Sequence, residues 1–279
     1  MNTDNFFITG TTHRICQDYA MSNERKAGQI VGQPFVVVSD GCSTAIHTDI
    51  GARLLTIAAR PHIFKPFDTN AFLYGVITGA NTFCRTLELP VEALTATLMV
   101  AKVEGDNFHV LVVGDGTIAY KNKNGMLVIR EIIFPSGAAY YLRYELNEEN
   151  KERYFKEFGN TFIVRTTTIL PSGDVADQNE EERTINKTSP YFSIRLPLDC
   201  FSLLSIMSDG VSAFTKLVKN GTSVSQIPVP SIDVVPELLA FKGYQGDFVQ
   251  RRVKRAMETF NKAQLQNTDD VAVGVIANI

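Results

Sequence analysis

Two apolar runs in this sequence end in the same three residues, and this repeated ending constrains the fold most. The run FVVVSDG covers residues 35–41, and the run LLSIMSDG covers residues 203–210. Apolar, β-branched runs of this length are typical of buried strands. The Gly after each Asp permits a sharp turn of the backbone. We therefore predict two buried strands that deliver the carboxylates of Asp40 and Asp209 to the rim of a sheet.

Four more aspartates stand at similar places. Asp18 precedes the strand-like segment YAMSN, Asp115 lies within VVGDGTIAY, and Asp269 and Asp270 precede the terminal run VAVGV. If these strands meet at one edge, their carboxylates converge and repel each other unless cations are bound. Hard divalent ions such as Mg²⁺ and Mn²⁺ take oxygen ligands, and two such ions can clamp a phosphoryl group. A single Asp-Gly is also a common turn sequence, so only the complete set points to a metal site.

The periodicity along the chain predicts an α+β protein. Apolar residues alternate or run together in the strand segments and recur every three or four positions in the helices. We expect two antiparallel sheets stacked on each other, with helices outside. The elements predicted first are strands at 5–13, 17–23 and 33–41, helices at 47–64 and 69–89, and hairpin strands as far as residue 133. The last elements are a strand at 200–207, a helix at 248–266 and a terminal strand.

The helices have predicted caps and buried faces. Thr48 is expected to cap the first helix and Asp247 the last. The buried face of the first helix is predicted to carry Ile50, Leu54, Ile57 and Ala58. That of the second is predicted to carry Phe72, Val76, Ala80, Phe83 and Leu87. That of the last is predicted to carry Val249, Val253, Ala256 and Phe260.

The middle of the chain, about residues 134–199, has a less regular pattern. Segments 138–146 and 160–170 resemble strands, whereas 147–158 is highly charged and is interpreted as solvated surface. Residues 171–190 are polar and are interpreted as a loop. Long irregular segments of compact domains are often functional. We expect this region to pack near the site and to influence substrate choice.

Composition excludes several classes of function. The chain has 279 residues, a net charge of -3 and a pI near 5.9, so it carries no electrostatic footprint for nucleic acid or an anionic membrane. No apolar run approaches the roughly 20 residues that span a bilayer, and the N-terminus does not resemble a secretory signal. The four cysteines form no CxxC pair, which favours reduced thiols. We expect a cytoplasmic protein that binds neither nucleic acid nor membrane.

The motifs CQDYA, VVVSDG, LVVGDGTIAY, LLSIMSDG and TDDVAVGV, in this order, resemble those of the metal-dependent protein phosphatases of type 2C. The opening is similar to a divergent bacterial branch of that family. The resemblance covers residues 8–42, 94–120, 201–214 and 267–277. It implies one domain over residues 1–279, folded as a four-layer α-β-β-α sandwich of two antiparallel sheets flanked by helices, with a variable flap at about 134–199.

The resemblance also implies an activity. Type 2C phosphatases hydrolyse phosphoserine and phosphothreonine in proteins, using water activated by two or three Mn²⁺ or Mg²⁺ ions. It therefore implies a phosphoprotein substrate, and it leaves room for a partner serine/threonine kinase. The metal ligands that it implies are Asp40, which bridges two ions, the carbonyl of Gly41, Asp209, Asp269 and, for a weaker third ion, Asp115. Asp18 matches a residue that holds a metal-bound water, so the expected catalytic residues are Asp18, Asp40 and Asp209.

The sequence departs from the family pattern at three places. Gln17 replaces one carboxylate of the early acidic pair, and Cys42 stands where some members have a His that could act as an acid. The phosphate-binding Arg of the family is replaced by His13, with Arg14 one position later. If the chain bulges there, Arg14 is expected to reach the phosphate, with His13 as the second candidate. A surface position for Arg14 fits the sequence equally well.

Two other functions stay open at this point. A catalytically weak relative that binds phosphoproteins as a regulator is favoured by Gln17 and His13. Another two-metal phosphohydrolase is also compatible with the carboxylate set, although the acidic balance disfavours a nucleic acid substrate. Of the final acidic pair, Asp269 is preferred as the ligand, because Asp270 then falls where the family often has Asn.

Overall fold

The computed structural model describes residues 1–26, 29–65, 68–220 and 223–279. The strands are β1 (Asn2–Ile8), β2 (Tyr19–Ser22), β3 (Arg25–Lys26), β4 (Gln29–Ile30), β5 (Phe35–Ser39), β6 (Leu98–Glu104), β7 (Asn107–Val113), β8 (Gly116–Asn122), β9 (Leu127–Ile133), β10 (Thr161–Ile169), β11 (Val175–Thr184), β12 (Phe192–Pro197), β13 (Phe201–Met207), β14 (Phe214–Asn220), β15 (Ser223–Pro228), β16 (Leu265–Asn267) and β17 (Val271–Ala277). The α-helices are α1 (Thr48–Ile63), α2 (Thr69–Thr86), α3 (Glu148–Phe158), α4 (Ser231–Leu238) and α5 (Phe248–Lys262). Short 3-10 helices cover Val91–Leu94, Leu142–Leu146 and Asp209–Ser212.

Two antiparallel sheets form the centre of the molecule. The large sheet has the strand order β1-β17-β13-β8-β9-β10-β11, and the small sheet has the order β12-β7-β6-β5-β2. Strands β17 and β13 of the large sheet pack against β5 of the small one. Helix α1 lies on the outer side of the small sheet with α2 beside it, and α4 and α5 contact the large sheet. The predicted α+β sandwich of two antiparallel sheets flanked by helices is confirmed.

Two apolar cores hold these layers together. One fills the space between the sheets and extends under α1 and α2, where Val36, Leu55 and Val76 are fully buried. The other lies between the large sheet and α4 and α5, and it includes the whole predicted stripe of α5. No helix in the described ranges is long and apolar enough to cross a membrane.

Some predicted helix details are wrong. Ile57 is 47% exposed and Phe83 is 40% exposed, because each of these helices has more apolar residues than its buried face can hold. Leu87 is 55% exposed and lies just beyond the end of α2. Thr48 is the first residue of α1 and Asp247 precedes α5, but neither caps its helix with its side chain. A working cap was missed at Asp68, whose carboxylate accepts a hydrogen bond from the Ala71 N–H at the start of α2.

The predicted strand at 5–13 ends at Ile8, and residues 9–18 form turns and irregular backbone. His13 and Arg14 therefore lie in irregular backbone between β1 and β2, not in a strand.

The middle region is more ordered than its sequence suggested. Residues 142–146 form a 3-10 helix rather than a strand, and the charged segment 147–158 contains α3, where Lys151 and Tyr154 are buried. The Asn147 carboxamide oxygen caps α3 by accepting from the N–H groups of Glu149 and Asn150. An Asn followed by two acidic residues is a common helix start that the charge pattern concealed. The polar loop predicted over 171–190 contains β11, an exposed edge strand that pairs with β10.

Candidate active site

Strand register brings the predicted aspartates to one edge of the sandwich. In the large sheet Met207 of β13 pairs with both Thr117 and Val273. Asp209, Asp115 and Asp270 therefore lie two or three residues beyond the same point of the sheet. In the small sheet Ser39 pairs with Tyr19, so Asp40 and Asp18 each lie one residue beyond that pair. Carboxylates as far apart in sequence as Asp18 and Asp270 become neighbours because antiparallel pairing aligns the strand ends.

The serines of the two Ser-Asp-Gly endings bind the strand ends to neighbouring backbone. Ser39 is fully buried and donates to the Thr97 carbonyl at 2.6 Å. Ser208 is also buried, and its hydroxyl oxygen accepts from the Ala272 N–H at 2.9 Å. Each serine thus fixes the backbone from which the following aspartate projects.

The glycines of the two endings are needed for close approach of backbones. A Cβ at Gly41 would lie 2.7 Å from the Thr48 carbonyl oxygen. A Cβ at Gly210 would lie only 1.7 Å from the Asp270 carbonyl oxygen. Neither glycine has a positive φ angle. The sharp turn that the sequence predicted is therefore not the main reason for these glycines. They are required because any side chain at these positions would collide with neighbouring backbone.

A cavity of about 640 Å³ opens over these strand ends. Four of the aspartates line it, together with residues 41–46 and several residues of the middle region. The acidic lining residues are Asp40, Asp115, Asp209, Asp269 and Glu92. The middle region contributes Gly137, Ala138, Ala139, Tyr141, Arg143, Tyr144 and Phe158. The part of the middle region that reaches the cavity is thus residues 137–158, whereas β10, β11 and β12 extend the sheets.

The most buried carboxylates contact each other directly. The Asp40 carboxyl lies within hydrogen-bonding reach of both Asp18 and Asp209. Asp18 is 1% exposed, and among the described residues neither of its carboxylate oxygens accepts a hydrogen bond of ordinary geometry. Buried carboxylates without donors are costly unless a proton or a cation compensates the charge.

The electrostatics of the cluster reflect this crowding. Burial raises the pKa of Asp18 to about 7, and nearby carboxylates add to the effect. Burial and the charge of Asp209 raise the pKa of Asp115 to about 7. Burial and the charges of Asp18 and Asp209 raise the pKa of Asp40 well above its ordinary value. Without cations the cluster therefore retains protons near neutral pH.

The final acidic pair has two different environments. Asp270 is 2% exposed, and its carboxylate accepts from the N–H groups of Gly10 at 2.7 Å and Gln17 at 2.6 Å. Asp269 lines the cavity, and its side chain is 42% exposed. Burial and the nearby charge of Asp209 raise the pKa of Asp269. Asp270 thus organises the loop before β2, while Asp269 has its carboxylate at the cavity.

Three residues that depart from the family pattern, His13, Arg14 and Gln17, lie in different environments around the site. His13 Nδ1 lies 3.1 Å from an Asp270 carboxylate oxygen. Burial lowers the pKa of His13, but the nearby carboxylates raise it by more, so the pKa lies above its ordinary value. Arg14 is exposed and does not line the cavity. Gln17 donates from its side-chain amide to the Thr48 hydroxyl, and its carbonyl accepts from the Gly41 N–H. The roles of Arg14 and His13 in phosphate binding stay predictions.

Two cavity residues were not found from the sequence. Tyr141 lies against Cys42, and burial raises the pKa of its hydroxyl, which keeps the proton available for hydrogen bonding. Arg143 is the only cationic side chain among the described residues that line the cavity. Both lie in the segment 138–146, whose alternation of aromatic and apolar residues indicated a strand and concealed the 3-10 helix. Nothing in the spacing of that segment relates it to the aspartates.

The donor set suits a hard cation better than a soft one. The acidic oxygens of the cavity and the carbonyl of Gly41 are hard ligands, and the unsatisfied Asp18 oxygens leave acceptors for ordered water. Across the described ranges, no three acidic, imidazole or thiol groups are arranged to surround a single ion. Mg²⁺ commonly binds one or two carboxylates and retains several waters.

Comparison with known proteins agrees with this architecture. A bacterial serine phosphatase has a TM-score of 0.55 at 14% identity, with 100% of this chain and 98% of the other covered. A variant of a bacterial serine phosphatase, in which one arginine is replaced by lysine, has a TM-score of 0.57 at the same identity and coverage. The serine/threonine phosphatase Stp1 from Staphylococcus aureus has a TM-score of 0.55 at 14% identity, with 99% and 95% covered. At such identities the likeness shows the shared fold.

Sequence comparison identifies the family. No curated protein sequence matches the chain significantly. The family model described as protein phosphatase 2C matches residues 10–238, which is most of the chain and includes the strand ends of β5, β7 and β13. The protein therefore belongs to the protein phosphatase 2C family.

Proposed function

We propose that the protein is a serine/threonine protein phosphatase that depends on Mn²⁺ or Mg²⁺. The observation that carries the proposal is the contact of Asp40 with Asp18 and Asp209 at the edge of a large open cavity. Both carboxylate oxygens of Asp18 are buried and accept no hydrogen bond of ordinary geometry from the described residues. Bound cations would compensate the negative charge of this cluster and so offset the cost of burying it. Membership of the protein phosphatase 2C family supports the reaction class.

Two or three cations would be held by Asp40, the Gly41 carbonyl, Asp209, Asp269 and Asp115. When bound, divalent cations lower the pKa of water and stabilise the charge that develops on a transferred phosphoryl group. The carboxylates of this chain would hold the cations in fixed positions, because their backbones are fixed by Ser39 and Ser208. Asp18, whose two oxygens accept no hydrogen bond of ordinary geometry from the described residues, would orient an attacking water. Tyr141 would close one side of the cavity next to Cys42.

The test is turnover of p-nitrophenyl phosphate and of a phosphoserine peptide by metal-stripped protein, with Mn²⁺ or Mg²⁺ added back. We expect no turnover in EDTA and full recovery with the metal. Asp209→Asn keeps the shape but removes charge, so it should lower the rate by at least ~10²-fold, the usual effect of losing one preorganised electrostatic group.

The matched control is Asp106→Asn, which makes the same chemical change at an exposed position in the β6–β7 turn. It should keep the rate of the unmodified protein. Turnover that persists unchanged in EDTA would refute the mechanism, and a fully active Asp209→Asn variant would refute the ligand assignment.

The alternatives make different predictions in the same assay. A phosphoprotein-binding regulator would bind the peptide without turnover, and a different two-metal hydrolase would prefer phosphodiesters. Cytoplasmic location and a partner kinase stay predictions.

A further inference from the structure

A second cavity adjoins the one that contains the aspartates. It has a volume of about 290 Å³ and lies between the C-terminal half of α2 and the segment that begins α3. Its lining residues are Asn81, Arg85, Leu89, Val91, Arg143, Leu146, Asn147 and Asn150. Arg143 lines both cavities, so the two are neighbours that share one side chain.

The lining of this second cavity is cationic. Arg85 and Arg143 contribute two guanidinium groups, and no acidic side chain occurs among the described lining residues. The carboxamide oxygen of Asn147 is occupied by the α3 cap, and that of Asn150 accepts from Arg153. Their amide N–H groups are what remains for a ligand. The cavity therefore offers hydrogen-bond donors and positive charge, which together suit an anion.

Arg143 has unused capacity to bind an anion. Its side chain is 15% exposed, and its Nε–H is buried without an acceptor among the described residues. Its ion pair with Glu92 is loose, with 3.9 Å between Nη1 and Oε1, and Glu92 itself is 53% exposed. The guanidinium carbon lies 4.9 Å from the centre of the Tyr144 ring, which restrains its orientation. A buried donor without a partner is stabilised when a ligand supplies an acceptor.

The backbone that carries Arg143 is firmly anchored. The preceding residue, Leu142, is completely buried. Glu145 accepts hydrogen bonds from the Tyr140 hydroxyl at 2.5 Å and from Lys151 Nζ at 2.9 Å. Because these anchors hold the segment on both sides of Arg143, the guanidinium needs little reorganisation to bind.

We propose that this second cavity is a subsite for an anionic side chain of the substrate, located close to the phosphorylated residue in the phosphoprotein. The inference rests on the proposed phosphatase function. The anion is the carboxylate of an acidic residue or a second phosphate, since either group accepts hydrogen bonds from guanidinium groups. Substrates with such a group near the phosphoserine are then bound more tightly than neutral ones.

The experiment uses a series of phosphoserine peptides on the full chain with Mn²⁺. One peptide has neutral flanks, others carry a single Glu at successive flanking positions, and a last set carries a second phosphoserine there. We expect kcat/KM for the best anionic peptide to exceed that of the neutral peptide by roughly three- to tenfold, the range for one or two partly exposed ion pairs. The difference should lie in KM. A preference for Glu peptides only would identify a carboxylate as the ligand, and a preference for peptides with a second phosphoserine only would identify a phosphate. A preference for both would show that the subsite accepts either group.

The variants assign the preference to the subsite. Arg85→Gln should remove most of the preference while turnover of p-nitrophenyl phosphate stays unchanged, because Arg85 does not line the larger cavity. Arg143→Gln should remove it as well. Arg183→Gln is the matched control, since Arg183 is an exposed arginine of β11 that lines neither cavity. Glu92→Gln frees Arg143 from its ion pair and should increase the preference.

Binding measurements separate this proposal from the proposed function. Fluorescence anisotropy with labelled peptides reports affinity whether or not the protein hydrolyses them. If no peptide is hydrolysed but anionic peptides bind better than neutral ones and Arg85→Gln removes the difference, the subsite stands and the phosphatase function fails. If neutral and anionic peptides are bound and hydrolysed equally well, or if the preference survives both arginine variants, the subsite is refuted.

Discussion

Replacing Asp18 by Asn should stabilise the metal-free protein. Asp18 is buried against Asp40, and its pKa of about 7 compares with an ordinary value near 3.8. Each unit of pKa corresponds to 1.36 kcal/mol, so ionising Asp18 costs the folded state up to roughly 4 kcal/mol. This ionisation cost depends on the charges of Asp40 and Asp209 as well. We therefore expect Asp18→Asn to raise the free energy of unfolding by about 2 kcal/mol or more at pH 8. For a chain of this size that is a rise of roughly 5 °C in Tm.

The pH dependence gives the sign of the effect. Because the pKa of Asp18 is raised in the folded state, the folded protein holds a proton between about pH 4 and pH 7 that the unfolded chain has released. Stability of the metal-free protein is therefore highest on the acid side of this window, falls as the pH rises from about 4 to about 7, and levels off above that. Asp115 has a pKa of about 7 as well and contributes in the same direction. Asp18→Asn should make the decline smaller.

The assay is thermal unfolding in EDTA between pH 5 and pH 8, repeated with excess Mn²⁺. Asp106→Asn serves as the control at an exposed site and should leave Tm unchanged. If Mn²⁺ binds the folded protein at the proposed site, it should stabilise the unmodified chain more than the variant, so the gain in Tm should shrink or reverse. The reasoning is wrong if Asp18→Asn lowers Tm in EDTA at pH 8, or if the Tm of the unmodified protein does not fall between pH 5 and pH 8.

Two further predictions concern glycines and the edge hairpin. Gly51→Ala should lower the free energy of unfolding by at least about 3 kcal/mol, because the new Cβ would lie 1.6 Å from the Ala93 carbonyl oxygen. Gly79→Ala in α2 meets only ordinary contact and should raise it by up to about 1 kcal/mol. Urea unfolding of both variants measures the difference, and equal effects would contradict the prediction. Replacing residues 172–184, which include the exposed strand β11, with a Gly-Ser linker of equal length should leave p-nitrophenyl phosphate turnover within about tenfold, a barrier change of ~1.4 kcal/mol, since none of these residues lines the cavity. Complete loss of turnover in a folded variant would show that the hairpin contributes to the site.

The local sequence was enough to predict the strands that carry the aspartates. Apolar runs such as Val36–Val38 can only be buried, and the Ser-Asp-Gly after them marks where the chain leaves the sheet. The periodic stripe of α5 likewise predicted which of its residues are buried. These features depend on neighbours within a few positions, so the sequence alone determines them.

Tertiary structure decided which of these residues share a site and what else joins them. The pairing of Met207 with Thr117 and Val273 sets the register that aligns the strand ends, and no local pattern encodes it. The same holds for Asp270, which is occupied by two backbone N–H groups from residues more than 250 positions away. Arg85 and Arg143 face one cavity because α2 packs against the 3-10 helix at 142–146. Such neighbours are brought together only by packing of the whole chain, because each depends on contacts between segments that are distant in sequence.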